Sequence, residues 1–442
     1  MMSSLVIPGA VVLAIALALL LEARRRHTEV AHGLIKLRSE AAGLNEPPSL
    51  HPIIDPDICI GSAACVAACP EGKVLGVVDG RATLVMGSHC VGHGRCLSEC
   101  PVGAIRLVFG TSERGVDIPH TSAEYESNVP GLYAVGELGG MGLVRNAVHQ
   151  GTTAVRHILR EDRARSGSGD VLDVAVVGAG PAGVAAAVTA HQARLTVRLF
   201  EREPRFGGAI LHFPRHKLVL SEPMTMPGYG RIKLREIPKE QLLEILETAL
   251  ERAGVRVELG REVAGLRAEG EGAARLFRLR LRDGEEVRSR KVVLAIGRRG
   301  MPRKLGVSGE ELAKVAYSLL EPEPYRGRHV LVVGGGNSAV EAAVMLAKEP
   351  GTEVTLSYRG QAFARVVEKN RAALEAAVAA RSVRLLLGSQ PTTIRETEVD
   401  LDTPAGALTL PNDFVFVFTG GVLPAEFLRE AGVAVEKKFG EP

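Results

Sequence analysis

Cysteine is absent from residues 1–58 and from 101–442; all six lie between Cys59 and Cys100. That excludes a disulfide framework over most of the chain. Thiols crowded into one short stretch of an enzyme-sized chain point to metal rather than to staples. A charge bias is absent as well. The net charge is +3, from 54 basic against 51 acidic residues, which excludes the broad basic surface that nucleic-acid binding needs. The hydrophobic (46%) and charged (24%) fractions are those of a globular protein. A length of 442 residues leaves room for two or three domains.

No positive charge precedes the one long apolar run, LVIPGAVVLAIALALLL from Leu5 to Leu21; Arg24, Arg25 and Arg26 follow it. A cleaved signal peptide carries its charge in front. As a helix the run covers about 25 Å at ~1.5 Å per residue, and Met1 to Ser4 can lengthen it. The expectation is a single-pass anchor over 1–26 in the inner (cytoplasmic) membrane, with the catalytic body held in the cytoplasm by the arginines. A linker follows over 27–50. The alternative is a buried core helix.

Glycine is plentiful, at 50 residues, and two stretches account for its most telling use. Residues 171–203 read VLDVAVVGAGPAGVAAAVTAHQARLTVRLFERE. An apolar strand runs into Gly178, Gly180 and Gly183, a small-residue helix follows, and a second strand ends at Glu201. The first glycine permits the tight turn. The second lets a pyrophosphate approach the helix N-terminus, and the third lets helix and strand pack closely. Glu201 stands where a carboxylate can take ribose hydroxyls. From His329 the pattern recurs in HVLVVGGGNSAVEAAVMLAKEPGTEVTLSYRG, with Gly334, Gly336 and Ala339. The acid is missing from this second unit, which offers Ser357, Tyr358 and Arg359, then Arg365. Nothing there repels a 2′-phosphate, and arginine pairs with one. NADPH is expected over NADH, with NADH still allowed. The alternative role of Arg359 is a solvated strand-end charge.

The stretches GAGPAG, ERE with the following Gly207 and Gly208, VVLAIGRRGMPRKLGVSGEE and GGGNSAVEAA together resemble the two-dinucleotide-binding-domain flavoproteins, in particular the thioredoxin-reductase-like branch of FAD/NAD(P)-dependent oxidoreductases. The resemblance implies an α/β fold of two Rossmann-like domains, with FAD on the first loop and NADPH on the second. It places a short return between them at Ala295, Ile296 and Gly297. The family's closing strand, loop and helix are missing from the end, where the chain reads GGVLPAEFLREAGVAVEKKFGEP and stops. A match lies upstream, in VPGLYAVGELGGMGLVRNAVHQGTTAVRHIL, residues 129–159. Gly136 and Glu137 fall on the closing strand's end, where the family usually has aspartate. Arg145 to Gly151 falls on the start of the closing helix.

The chain thus resembles a circularly permuted form, with DRARSGSGD, 162–170, as the tether. The alternative is a truncated second flavin domain. The expected boundaries are 51–110 for an iron–sulfur domain, 111–161 for the closing segment and 171–299 for the FAD-binding domain. The NAD(P)H-binding domain takes 300–419, and 420–442 returns to the FAD domain.

A thioredoxin reductase has a C-x-x-C pair in its nucleotide domain. This chain has no cysteine there, so disulfide reduction by that route is excluded, and no acid–base triad is expected. The cysteines it does have read CIGSAACVAACP at 59–70 and CVGHGRCLSECP at 90–101. Both are the C-x2-C-x2-C-x3-C-P frame of a bacterial ferredoxin with the second cysteine missing. Residues 51–110 therefore resemble a small α+β two-cluster ferredoxin. The resemblance groups Cys59, Cys65 and Cys100 around one cluster and Cys90, Cys96 and Cys69 around the other. Ser62 and His93 occupy the missing positions. Serine ligates iron only as an alkoxide, whereas imidazole is a recognised iron–sulfur ligand that raises the potential. The alternatives are a small loop residue for Ser62, a turn histidine for His93, and a zinc site for the whole set. The clusters are expected as [4Fe-4S] or [3Fe-4S].

Together these features lead to the expectation of a membrane-anchored FAD-dependent NAD(P)H oxidoreductase. It passes electrons between NADPH, FAD and iron–sulfur clusters to a ferredoxin, cytochrome, quinone-linked carrier or redox subunit, with a homodimer allowed. Two alternatives stand beside it: an electron-input subunit resembling the small subunit of glutamate synthase, and a non-enzymatic membrane redox sensor.

Overall fold

The computed structural model describes residues 3–47, 50–112, 115–139, 142–161, 170–213, 215, 217–220, 223–234, 236–272, 275–298, 301–363 and 366–440. It divides into two units. The smaller takes residues 1–111 with 362–367 and 440–442, and the larger takes 112–361 with 368–439.

In the smaller unit one helix runs unbroken from Ser3 to Ala41, 39 residues. Among the described residues no helix is long and apolar enough to cross a membrane, so the expected single-pass anchor and its topology are corrected. The apolar run is too short: about 25 Å against the ~30 Å of a bilayer's hydrocarbon. Beyond it the helix continues as a charged surface, with Glu22–Arg26 and Arg25–Glu29 paired at i,i+4. Residues 27–41, expected as linker, belong to this helix and pack on the body of the unit. His32 lies over Gly76, where a Cβ would stand 2.7 Å from the imidazole Cγ, and its Nδ1 accepts the Val77 N–H at 3.0 Å.

The body of the unit is built from short pieces. His51–Ile54 pairs antiparallel with Ile105–Val108, and Leu75–Val78 with Arg81–Leu84. The second hairpin turns at Asp79 and Gly80, with φ of 52° and 71°, the left-handed pair that a two-residue Asp-Gly turn supplies. Two single-turn helices, Ala64–Ala68 and Arg95–Ser98, carry Cys65 and Cys96. The core is small, with Val74, Leu75, Ala82 and Ile105 packed against Cys65, Cys90 and Cys96. A unit with so little apolar burial calls for a further staple.

The larger unit holds two sheets with parallel cores. In the first, Val257–Glu258, Val197–Phe200, Val171–Val177 and Glu286–Leu294 run parallel, and two antiparallel strands, Leu276–Leu281 and Val263–Glu269, extend it. Glu286–Leu294 changes neighbour along its length. Its start pairs antiparallel with Leu276–Leu281, and its end pairs in parallel with Leu132–Ala134. The segment that precedes the glycine-turn strand in the chain thus completes its sheet. The second sheet has five parallel strands in the order Val315–Ala316, Phe414–Val417, His329–Val333, Glu353–Tyr358, Val383–Leu387. The central strands His329–Val333 and Phe414–Val417 read as near-continuous apolar runs because both of their faces are covered.

The helix Val144–Glu161 lies against Pro181–Gln192, the helix that follows the first glycine turn. The approach is close at Gly151, where a Cβ would stand 2.1 Å from the Ala182 carbonyl oxygen. Gly151→Ala should therefore destabilise the larger unit by about 1–3 kcal/mol through overpacking, read as a lower midpoint of urea unfolding. Gly142→Ala, with nothing within 4 Å of the new Cβ, should leave the midpoint unchanged. Equal midpoints for both variants would contradict this close helix packing.

Candidate functional site

At the first glycine turn the three glycines divide their work. Gly178 has φ 99°, and a Cβ there would meet the Ala295 carbonyl oxygen at 2.6 Å; a Cβ at Gly183 would meet the Gly178 carbonyl oxygen at 1.8 Å. These two are needed by the fold itself. Gly180 differs, since its Cβ would meet only the Gly208 Cα, at 3.8 Å. Its backbone is extended, φ −78° and ψ −177°, at the N-cap of Pro181–Gln192. Gly207 (φ 123°) and Gly208 (φ 57°) approach from the other side, with the Gly207 N–H donating to the Ala179 carbonyl at 3.0 Å. The space above Gly180 and Gly208 is thus bounded by backbone and by a helix N-terminus, as an anionic phosphate requires. Glu201 is buried. One of its oxygens accepts the Ala179 N–H at 2.8 Å, and the other accepts the Glu203 N–H at 3.1 Å. It braces the turn as well as facing it.

The upstream segment reaches the same place. Gly136 has φ 76°, and a Cβ there would stand 3.0 Å from that of Ala182. It opens the single 3-10 turn Gly136–Gly139, which carries Glu137. Arg145 lies in the first turn of Val144–Glu161. Two further residues here escape sequence reasoning. Gln150 is buried, its Oε1 accepts the Gly136 N–H at 2.6 Å, and its Nε2 has no partner among the described residues. Nothing in its helical position distinguishes it from a surface glutamine. Arg298 donates to the Asp117 carbonyl at 2.8 Å. Burial pushes its pKa down, and the charges of Glu137 and Asp117 oppose that. An arginine directly after Ile296-Gly297 was the signal available for it.

The second glycine turn repeats the division. A Cβ at Gly334 (φ 149°) would meet the Phe418 carbonyl oxygen at 2.5 Å, and Ala339 is fully buried, whereas Gly336 meets nothing within 4 Å. Ser357 is buried and spends its hydroxyl on Ser389, Oγ to Oγ 2.7 Å. Tyr358 packs against the loop, so that a Cβ at Gly335 would stand 2.0 Å from its ring. Arg359 follows, exposed at the strand's end. Arg365 lies outside the described residues.

In the smaller unit two cavities gather the cysteines in two sets of three. One is lined by Cys59, Cys65 and Cys100 with Ser62, the other by Cys69, Cys90 and Cys96 with His93. In neither set do the ligand atoms all lie within 4.8 Å of one another. Four ligands around one zinc, each at ~2.3 Å, need closer sulfurs; a cluster, which spreads its ligands over several irons, does not. Backbone donors already address the first set. The Ala82 N–H points to Cys59 Sγ at 3.4 Å, and the Ala104 N–H to Cys100 Sγ at 3.2 Å, contacts of the kind that tune cluster potentials.

Burial pushes the Cys90 thiol up to about 12 and Cys96 up to about 11, and raises Cys65 and Cys69. Neighbouring thiolates add to the rise, Cys59 and Cys100 acting on Cys65, and Cys96 and Cys69 on Cys90. Such thiols stay protonated until a metal displaces the proton and neutralises the repulsion. The donor chemistry and spacing fit two iron–sulfur clusters.

Comparison with known proteins agrees with both halves of this geometry. Residues 175–442 match the family described as pyridine nucleotide-disulphide oxidoreductase, and residues 51–101 match a 4Fe-4S dicluster domain. Bacilliredoxin reductase Bdr of Bacillus subtilis is 36% identical over 34% of this chain and 47% of its own length. An NADH dehydrogenase of Bacillus subtilis is 33% identical over 51% of this chain and 41% of its own. The chain therefore spans less than half of either protein. Ferredoxin–NADP reductase of Ignicoccus hospitalis is 29% identical over 60% of this chain and 83% of its own length. Among solved structures, the bacillithiol disulfide reductase Bdr of Bacillus cereus aligns at a TM-score of 0.54 and 29% identity, covering 60% of this chain and 82% of that one. With more than half of its length matched, the chain belongs to the pyridine nucleotide-disulphide oxidoreductase family and carries a 4Fe-4S dicluster domain ahead of the family region.

Proposed function

We propose that this protein is an FAD-dependent NAD(P)H oxidoreductase that exchanges electrons with a one-electron partner through two iron–sulfur clusters. One observation carries the reading. In a family named for disulphide chemistry, this chain has no cysteine outside residues 59–100, and those six line two metal-type cavities. When bound, a flavin links a two-electron hydride donor to one-electron acceptors, and clusters of this kind carry single electrons.

The protein's own residues have the complementary tasks. Gly180 and Gly208 keep the backbone open to the FAD pyrophosphate, Glu201 takes the adenosine ribose, and the Gly136–Glu137 turn takes the ribityl chain. Gly336 opens the second loop to NADPH, with Arg359 and Arg365 for the 2′-phosphate. Cys59, Cys65 and Cys100 hold one cluster, and Cys69, Cys90 and Cys96 the other. The flavin domain is read as circularly permuted, which the pairing of Leu132–Ala134 with Val292–Leu294 supports. The partner is a ferredoxin-class carrier, in keeping with the ferredoxin–NADP reductase relative.

Gly180→Val should fold with an unchanged unfolding midpoint and emerge without flavin absorbance, because the new Cβ meets the protein only at the Gly208 Cα, at an ordinary 3.8 Å, and otherwise fills the space left for the phosphate. Full flavin content in that variant would refute the assignment of the loop. Flavin reduction should be faster with NADPH than with NADH. Arg359→Ala should weaken NADPH binding about tenfold, the scale of one hydrogen bond to a charged group, and leave NADH unaffected. Equal use of both nucleotides by the native protein would sink the 2′-phosphate role. Turnover of NADPH with a ferredoxin in an anaerobic assay tests the reaction as a whole; turnover with artificial acceptors alone would favour an electron-input subunit.

A further inference from the structure

The two halves of the smaller unit present their second motif position on the same backbone turn. Gly61 and Ala63 flank Ser62 with φ of 65° and 59°; Gly92 and Gly94 flank His93 with φ of 80° and 77°. Left-handed backbone on both sides is unusual, and at Ala63 it is strained, so each turn is held in place by its surroundings. A Cβ at Gly61 would stand 2.0 Å from the Gly80 carbonyl oxygen, and one at Gly92 would stand 3.0 Å from that of Leu50. With the backbone equivalent, the side chains decide what each site becomes.

They decide differently. Ser62 lines the cavity with Cys59, Cys65 and Cys100 but is exposed, and its short hydroxyl turns to its own backbone, accepting the Ala64 N–H at 3.5 Å. The His93 side chain is only 10% exposed and lines the cavity with Cys69, Cys90 and Cys96. Its Nε2 lies 3.4 Å from Glu71 Oε1, and Glu71 lines the same cavity. Histidines that ligate metal commonly direct the other ring nitrogen to a carboxylate, which selects the tautomer and the ring orientation. With Nε2 towards Glu71, Nδ1 is the ring nitrogen that such an arrangement assigns to a metal. The same 3.4 Å contact also suits an ion pair between His93 and Glu71, and the nitrogen coupling tested below tells the two roles apart.

Building on the two-cluster reading, we propose that the two sites are chemically unequal. His93 is the fourth ligand of the Cys69/Cys90/Cys96 site, with Glu71 as its positioning residue, while the Cys59/Cys65/Cys100 site keeps an open fourth position. The open site is then the one that loses an iron on oxidation and gives a three-iron cluster. The histidine-closed site resists that loss and carries a nitrogen ligand.

The full chain, isolated anaerobically and reduced with dithionite, provides the test by pulsed electron paramagnetic resonance. One of the two clusters should show a nitrogen hyperfine coupling of imidazole size. His93→Cys should abolish that coupling while keeping the iron and acid-labile sulfide content, which separates loss of the ligand from loss of the fold. Glu71→Gln should keep the coupling and shift the midpoint potential of that cluster alone. Mild ferricyanide oxidation should give at most one three-iron signal per chain, absent from Ser62→Cys.

Absence of imidazole coupling, its survival in His93→Cys, or a three-iron signal unchanged by Ser62→Cys would each overturn the assignment. Equal shifts of both clusters in Glu71→Gln would remove Glu71 from it. A native chain with FAD but no iron or sulfide would overturn the two-cluster reading itself, and iron analysis tells that failure from the others.

Discussion

The first turn of the helix Pro181–Gln192 is where backbone must touch backbone for the larger unit to exist. Gly183 abuts the Gly178 carbonyl, Gly151 of the neighbouring helix abuts the Ala182 carbonyl, and Gly136 abuts Ala182 from the closing turn. No side chain larger than hydrogen fits at Gly183 or Gly151 without displacing main chain. Three segments distant in the chain are thereby locked around one helix N-terminus, with the Glu201 carboxylate bracing the Ala179 and Glu203 amides. Because the frame is rigid, the open positions can be left open. Gly180 and Gly336 contribute nothing to packing in their own loops and are spared for a ligand.

A different constraint governs the smaller unit. Six half-buried or buried thiols sit in a module with few apolar side chains to stabilise it. Ionising three of them together in a desolvated cavity costs more with each proton removed, which is why burial and mutual repulsion both raise Cys90 and Cys96. Positive metal charge reverses the sign of that effect. The groups that destabilise the metal-free module become its main cross-links once metal is bound.

The two units meet the same requirement by opposite means. In the larger, an anion is received by removing side chains from a helix N-terminus. In the smaller, a cationic centre is received by concentrating side chains that are poor neighbours for one another. Neither arrangement needs a general acid or base, which suits the proposed role of holding and tuning electron carriers.

Local sequence determined the glycine turns, the strand–helix–strand order around them, the paired cysteine frames and the absence of a second acid. Each of these is a short-range property, set by φ, by hydrogen-bond geometry or by residue spacing. The link of GLYAVGE to the first glycine turn was also legible, and Leu132–Ala134 does pair into the sheet of that turn. Tertiary structure decided the rest. It joined the apolar N-terminal run to a charged continuation that packs His32 onto Gly76, where hydropathy alone indicated a membrane anchor. It buried Gln150 against the Gly136 amide and brought Arg298 within reach of the charge of Glu137. It also left Ser62 exposed at the rim of one cavity and largely buried His93 in the lining of the other, on matching turns. Which way a side chain faces, and what lies opposite it, depends on contacts between residues far apart in the chain, and no local pattern encodes those.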